Sequence, residues 1–132
     1  MVRNSNSIRV LIVDDELLVA DTLVMIAEAE GYTARAAYNA EEAADIADEF
    51  RPHACVSDVM MPGMNGLEFA EWMADHHPDC KLLLISGHAD LLDNLTLNGR
   101  RRTVLPKPMQ PVEFLRFLAT CHAASTDTAQ RS

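Results

Sequence analysis

Five polar side chains of this 132-residue sequence stand at the ends of short apolar runs, where a chain leaves a hydrophobic interior. They are Asp14, Asp15, Asp58, Ser86 and Lys107. Carboxylate oxygens are the ligands that Mg²⁺ prefers, and a lysine ammonium pairs with phosphate oxygens. Three carboxylates, a hydroxyl and an ammonium therefore suit a divalent cation together with an anion, provided that the fold brings them to one place.

The apolar runs alternate with stretches of helical periodicity, which predicts strands that alternate with helices. Strands are predicted at 8–13, 33–38, 54–57, 82–85 and 103–105, and helices at 15–30, 39–51, 67–74, 89–98 and 111–122. Most of the runs are apolar on both faces, as expected of a parallel, doubly wound α/β sheet with helices on both sides. Ligands of such sheets bind beyond the carboxyl ends of the strands, so the five polar side chains are expected at one edge.

Each of these residues also has a purely structural interpretation. Asp15 could cap a helix, and Asp14 could be a solvated strand end. Ser86 could belong to a turn and Lys107 to a surface loop. Capping alone does not need three carboxylates, however, and at ~4 Å each pair of like charges repels by about 4 kcal/mol at an effective dielectric constant near 20. A bound cation would offset that repulsion.

The chemistry that fits this set is phosphoryl transfer onto Asp58. A carboxylate is already a nucleophile toward phosphorus and needs no neighbouring base. The metal and Lys107 would neutralise the oxygens of the transferring group, and Ser86 would supply a short hydrogen-bond donor.

The composition limits the class of protein. A net charge of −9 argues against a nucleic-acid partner, because such modules are usually basic. No apolar run approaches the roughly 20 residues of a membrane span, so no membrane is expected. Three cysteines, an odd number in a chain long enough to fold without disulfides, favour a cytoplasmic location. The length suits one domain, expected at 1–123, followed by a polar C-terminal tail at 124–132 that is predicted to be disordered.

Four motifs resemble the receiver domain of two-component response regulators, of the single-domain type. They are VLIVDDE (10–16), SDVMMPGMNGLE (57–68), LISGHA (84–89) and LPKP (105–108), and they occur in the order and near the spacing of that family. The resemblance covers about 8–122. It implies a flavodoxin-like (βα)₅ fold, with a five-stranded parallel sheet in the order 2-1-3-4-5.

The resemblance also implies roles for the site residues. Asp58 is the expected phosphoacceptor, and Ser86 is the expected switch hydroxyl. Lys107 corresponds to the lysine of the family, with a cis peptide bond to Pro108. The expected ligands of Mg²⁺ are Asp14, Asp15, Asp58 and the backbone carbonyl of Met60.

The sequence departs from the family pattern at the position three before the lysine, where an aromatic switch residue is usual and this chain has Val104. Signalling is then expected to depend on Ser86 and loop movement. The resemblance further marks Met60 and His88 as candidates that tune the lifetime of the phosphoryl group. Their alternative interpretations are a loop filler and a solvated loop histidine.

The expected phosphoryl donor is a histidine kinase or a histidine phosphotransfer protein. The expected downstream partner is an unknown protein that binds the face made by the fourth helix, the fifth strand and the fifth helix of the predicted fold. Beyond accepting a phosphoryl group and losing it slowly, no enzymatic activity is expected.

Three alternatives stay open from the sequence. The chain could be a receiver excised from a hybrid histidine kinase, or a pseudo-receiver that signals without phosphate. It could also be a small Mg²⁺-dependent phosphatase with Asp58 as nucleophile. Such phosphatases commonly carry a second aspartate two residues later, where this sequence has Met60.

Overall fold

The computed structural model describes residues 8–59, 66–87, 96–97, 100–101 and 104–131. Its strands are β1 (Arg9–Val13), β2 (Thr33–Ala37), β3 (Ala54–Asp58), β4 (Lys81–Ser86), β5 (Thr96–Leu97), β6 (Arg100–Arg101) and β7 (Val104–Pro106). Its helices are α1 (Leu17–Ala29), α2 (Ala40–Phe50), α3 (Gly66–His76) and α4 (Pro111–Arg131).

Five of the strands form one parallel sheet in the order β2-β1-β3-β4-β7. With β7 as the fifth strand, this is the predicted order 2-1-3-4-5, so the flavodoxin-like fold is confirmed. The register pairs Val13 with Ser57 and Asp58 with Ile85, and Ser86 lies opposite Pro106. The carboxyl ends of the strands that carry the five polar residues are therefore neighbours.

Apolar side chains cover both faces of the sheet, which explains why its central strands β1, β3 and β4 lack the alternation of a half-exposed sheet, whereas the edge strand β2 shows it. On one face, Val10 and Ile12 of β1 belong to a buried cluster with Phe114 and Leu118 of α4. On the other face, Leu11 and Val13 belong to a second buried cluster, with residues of α2 and α3 that include Phe69 and Met73.

Two helix ends follow the capping chemistry of the sequence. Asn39 precedes α2, and its side chain accepts a hydrogen bond from the backbone N–H of Glu42 at 2.8 Å. Gly31 follows α1 with φ of 96°, a conformation that side chains with a Cβ rarely adopt.

The predicted fourth helix, at 89–98, is wrong in the part that the structure describes. Residues 96–97 form β5, which pairs antiparallel with β6 at 100–101, while 89–95 and 98 lie outside the described residues. The sequence between the two strands is Asn98-Gly99, the residue pair most typical of a two-residue hairpin turn. The helix prediction overlooked this pair, which favours antiparallel pairing of the residues on either side of it.

The C-terminal helix is longer than the predicted 111–122 and continues to Arg131. The sequence after Pro111 contains neither glycine nor proline, the residues that most often end a helix. The prediction that 124–132 is a disordered tail remains a prediction. Among the helices in the described part of the chain, none combines the length and the apolar composition that a membrane crossing requires.

Candidate functional site

The sheet brings Asp14, Asp15 and Asp58 together at the carboxyl ends of β1 and β3. Each of these residues offers one carboxylate oxygen, and the three oxygens lie within 4.8 Å of one another. Asp14 is fully buried and Asp58 is 2% exposed, whereas Asp15 faces solvent. Two of the three charges are therefore held where water cannot screen them well.

Asp14 is the most constrained of these carboxylates. Its Oδ1 accepts a hydrogen bond from the backbone N–H of Glu16 at 2.9 Å. Among the described residues its buried Oδ2 makes no hydrogen bond, and the Nζ of Lys107 lies 3.2 Å from it. Burial raises the pKa of Asp14, and the hydrogen bond from Glu16 and the charge of Lys107 oppose that rise.

Asp15 does not cap α1, contrary to its structural interpretation. The N-cap position of α1 is Glu16, and its side chain makes no capping hydrogen bond. The exposed carboxylate of Asp15 instead lies beside Asp14 and Asp58, where it can take part in binding a cation.

Lys107 supplies the positive charge among these carboxylates. Its Nζ donates a hydrogen bond to Asp58 Oδ2 at 2.8 Å and another to Glu16 Oε1 at 3.0 Å. Burial lowers the pKa of Lys107, but the hydrogen bonds to Asp58 and Glu16 outweigh that effect and leave the pKa above its ordinary value. The peptide bond from Lys107 to Pro108 is cis, as expected.

Ser86 is fully buried at the end of β4. Its backbone carbonyl accepts a hydrogen bond from the N–H of Lys107 at 3.0 Å, which fixes the start of the lysine loop against the sheet. The five polar residues that the sequence singles out thus lie together at the carboxyl ends of the strands. The register of the strands brings them together from distant parts of the chain.

The other predicted site residues are Val104, Met60 and His88, and the structure describes one of them. Val104 is partly buried and packs against a small apolar cluster of Val59, Ala70 and Leu84. Met60 and His88 lie outside the described residues. The predicted contribution of the Met60 carbonyl and the predicted tuning roles of Met60 and His88 therefore remain predictions.

Sequence reasoning missed Glu16. Its carboxylate contacts Lys107 across 91 positions of the chain, whereas the motif VLIVDDE assigns it no role of its own. The available signal was a third consecutive acidic residue at the end of a buried strand. Glu16 and Lys107 also form one end of a groove of about 520 Å³ between α1 and the start of α4, lined largely by apolar side chains such as Leu18 and Met109.

The donor set fits a hard divalent cation. All of the described ligand atoms are carboxylate oxygens, one of them exposed, and the buried Asp14 Oδ2 lacks a hydrogen-bond donor. Such a site suits a cation that retains water molecules, as Mg²⁺ does. The three carboxylates can therefore hold a metal ion.

A family model described as the response regulator receiver domain matches residues 10–119. Among curated proteins, the chain is 32% identical over 110 residues to the response regulator MprA of Mycobacterium tuberculosis. That match covers 83% of this chain and 48% of the relative, so the chain spans about half the length of this relative.

Solved structures give the same likeness. A CheY-like receiver domain protein from Methanospirillum hungatei superposes with a TM-score of 0.78 at 27% identity, covering 89% of this chain and 98% of the other. The response regulator TrrA of Thermotoga maritima, solved in complex with Mg²⁺ and BeF, has a TM-score of 0.75 at 25% identity, covering 86% and 98%. The receiver domain of the hybrid histidine kinase CckA has a TM-score of 0.71 at 28% identity, covering 86% and 97%.

Proposed function

This chain belongs to the response regulator receiver domain family, and we propose that it takes a phosphoryl group onto Asp58 in a Mg²⁺-dependent step. Members of the family are phosphoacceptor signalling modules rather than catalytic enzymes, and they accept phosphoryl groups from histidine kinases. The alternative of a Mg²⁺-dependent phosphatase is therefore set aside. The proposed donor is a histidine kinase or a histidine phosphotransfer protein.

One observation carries this proposal: the carboxylate of Asp58 accepts a hydrogen bond from the ammonium of Lys107 and is grouped with the carboxylates of Asp14 and Asp15. A nucleophile, a cation-binding set and a fixed positive charge thus meet at one point. A cap or a solvated turn would need none of these contacts.

In the proposed reaction, the carboxylate of Asp58 attacks phosphorus of the donor phosphohistidine. The new phosphorus–oxygen bond forms as the phosphorus–nitrogen bond breaks, and the electron pair of that bond stays on the imidazole nitrogen. Lys107 stabilises the negative charge on the phosphoryl oxygens through its ammonium group. Asp14, Asp15, Asp58 and the carbonyl of Met60 would hold Mg²⁺, which when bound supplies further positive charge to those oxygens.

We propose that Ser86 then reorients toward the phosphoryl group, and that Val104 leaves this movement without an aromatic partner. Met60 and His88, which flank the site in sequence, are proposed to tune how long the phosphoryl group lasts. The proposed readout face includes β7 and α4 together with the segment between β4 and β7. That segment includes the antiparallel strands β5 and β6, at positions where a helix was predicted in part.

The test is the uptake of phosphoryl from acetyl phosphate with Mg²⁺, followed by intact-mass spectrometry. The wild-type chain is expected to gain one phosphoryl group, and Asp58→Asn none. Asp45→Asn, which removes an exposed carboxylate of α2, is the matched control and should behave as wild type. Equal uptake by wild type and Asp58→Asn would show that Asp58 is not the acceptor.

A further inference from the structure

We infer that Glu16 is a positioning residue that competes with the phosphoryl group for the ammonium of Lys107, and so weakens the phosphorylated state. The inference rests on the proposed role of Asp58 as acceptor. It assigns to Glu16 a function beyond the residues that bind the metal or the phosphoryl group.

Three carboxylates share one ammonium. Lys107 Nζ lies 2.8 Å from Asp58 Oδ2, 3.0 Å from Glu16 Oε1 and 3.2 Å from Asp14 Oδ2. An ammonium has three N–H donors, and two of them form hydrogen bonds, to Asp58 and to Glu16, whereas the contact with Asp14 Oδ2 is an ion pair without a hydrogen bond. A phosphoryl group beside Lys107 would therefore compete with Glu16 for the donors and the charge of one ammonium.

Glu16 differs from the other two partners in its exposure. The side chain of Glu16 is 61% exposed, whereas that of Asp58 is 3% exposed and that of Asp14 is fully buried. The buried carboxylates depend on Lys107 because water cannot replace it. Glu16 would be solvated without the lysine, so it is the partner that is most easily released.

The backbone nevertheless holds Glu16 in reach of Lys107. The N–H of Glu16 donates to Asp14 Oδ1 at 2.9 Å, and its carbonyl accepts the hydrogen bond from Ala20 that opens α1, at 3.1 Å. On the other side, the N–H of Lys107 donates to the carbonyl of Ser86 at 3.0 Å. Because both backbones are anchored, the side chains of Glu16 and Lys107 start from fixed positions within reach of each other.

Phosphorylation would add negative charge and new acceptor oxygens beside Lys107. The charge of Glu16 then opposes that added charge, and its carboxylate occupies an N–H donor that the phosphoryl group could use. A neutral glutamine keeps the size and the acceptor oxygen of residue 16 but removes the charge. Since exposed ion pairs contribute little, the expected gain in affinity for a phosphoryl mimic is modest, about threefold.

The experiment is a titration with beryllofluoride in Mg²⁺, followed by backbone amide NMR, on wild type, Glu16→Gln and Glu41→Gln. Glu41 is an exposed acid in the first turn of α2, so its variant controls for the loss of one negative charge. The midpoint for Glu16→Gln is expected about threefold below that of wild type, within the range that an exposed ion pair supports. The midpoint for Glu41→Gln is expected to stay at the wild-type value.

A second measurement follows the Lys107 side-chain Cε resonance in protein free of metal and beryllofluoride. The resonance should move in Glu16→Gln and stay in place in Glu41→Gln, because Glu16 contacts the ammonium and Glu41, on α2, belongs to none of its ion pairs. An unmoved resonance, or equal midpoints for wild type and Glu16→Gln, would overturn the inference alone. If the wild-type chain binds no beryllofluoride, the proposed function of Asp58 fails and the inference fails with it.

Discussion

Asp14 carries its charge at a position that water does not reach. It is fully buried, and within the described part of the chain the backbone N–H of Glu16 and the ammonium of Lys107 compensate its charge. Burial raises its pKa, which means that the ionised form is less stable in the folded chain than in water. A bound cation would offset the free-energy cost of burying this ionised carboxylate, which is consistent with a cation site.

We expect Asp14→Asn to raise the free energy of unfolding by about 1 kcal/mol at neutral pH in EDTA, because it removes a poorly solvated charge. The asparagine keeps an oxygen for the N–H of Glu16. Denaturant titration measures the change, and Asp15→Asn, which removes an exposed carboxylate, should stay within about 0.5 kcal/mol of wild type. Added Mg²⁺ should stabilise wild type more than Asp14→Asn. A variant less stable than wild type in EDTA would contradict this account.

The ring of His53 forms a hydrogen bond with the first residue of β1. Its Nδ1 accepts a hydrogen bond from the N–H of Arg9 at 2.9 Å, so the neutral ring is the one that fits. Burial, and then the charge of Arg9, lower the pKa of His53. The folded chain therefore resists protonation of a ring that the unfolded chain protonates near its ordinary pKa of 6.5.

This sign predicts stability that is complete above pH 6.5 and is lost as the pH falls from 6.5 toward the lower pKa of the folded state. His53→Asn keeps an acceptor without a titrating ring, so it should flatten this part of the curve. Urea denaturation at about pH 7.5 and about pH 5.5 gives the comparison. His76→Gln, at an exposed ring, is the control and should keep the wild-type slope. An equal slope in His53→Asn would mean that other groups cause the loss.

At the residue scale, the sequence predicts the position of those side chains whose place is determined by the register of the strands. Asp14, Asp58 and Ser86 follow buried strands, so their position in a parallel sheet follows from the strands themselves. The position of Glu16 could not be predicted in this way. Its contact with Lys107 depends on the path of the loop that carries the lysine and on the conformations of two long side chains. In the sequence alone, Glu16 also looks like an ordinary solvent-exposed acidic residue.

At the scale of elements, the start of α3 is packed against the end of β3. A Cβ built on Gly66 would clash with the carbonyl oxygen of Asp58 and with Cα of Val59, while one built on Gly87 would meet nothing within 4 Å. The N–H of Gly66 also donates to the carbonyl of Val59 at 3.2 Å. The glycine therefore permits the close approach that places Asp58 beside the helix.

Gly66→Ala should lower the free energy of unfolding by about 1–3 kcal/mol, the usual cost of overpacking. This sign is informative, because alanine in a helix is otherwise favoured over glycine by about 1 kcal/mol. The backbone of Asp58 must shift to accept the methyl group, so affinity for beryllofluoride should fall as well. Thermal denaturation and the beryllofluoride titration measure the two effects. Gly87→Ala, at the other edge glycine, should change stability by less than about 0.5 kcal/mol; equal effects at both positions would exclude the packing explanation.

The helices and strands whose prediction rests on a clear local sequence signal are the ones that the sequence predicts correctly. Apolar runs predicted all five strands of the main sheet, and Asn39 and Gly31 marked helix ends through their own chemistry. The prediction at 96–97 was wrong because it overlooked the pair Asn98-Gly99, whose sequence favours antiparallel pairing of short strands on either side of it.

At the scale of the whole molecule, α4 contributes to the core through its first turns. Phe114, Leu118 and Cys121 are buried against the face of the sheet that α1 also covers. The last of these buried residues precedes the predicted end of the domain at 123. The polar sequence beyond it offers few side chains for a core.

A chain that ends at Ala123 should therefore keep the free energy of unfolding of the full chain within about 0.5 kcal/mol, and should bind beryllofluoride with the same midpoint. Leu118→Ala in the full chain is the contrasting variant. It removes a fully buried side chain and should cost about 2–5 kcal/mol. Denaturant titration of the three proteins gives the comparison. A shortened chain that loses cooperative unfolding, or loses as much stability as Leu118→Ala, would show that the helical segment after Ala123 belongs to the folded domain and is not a separate tail.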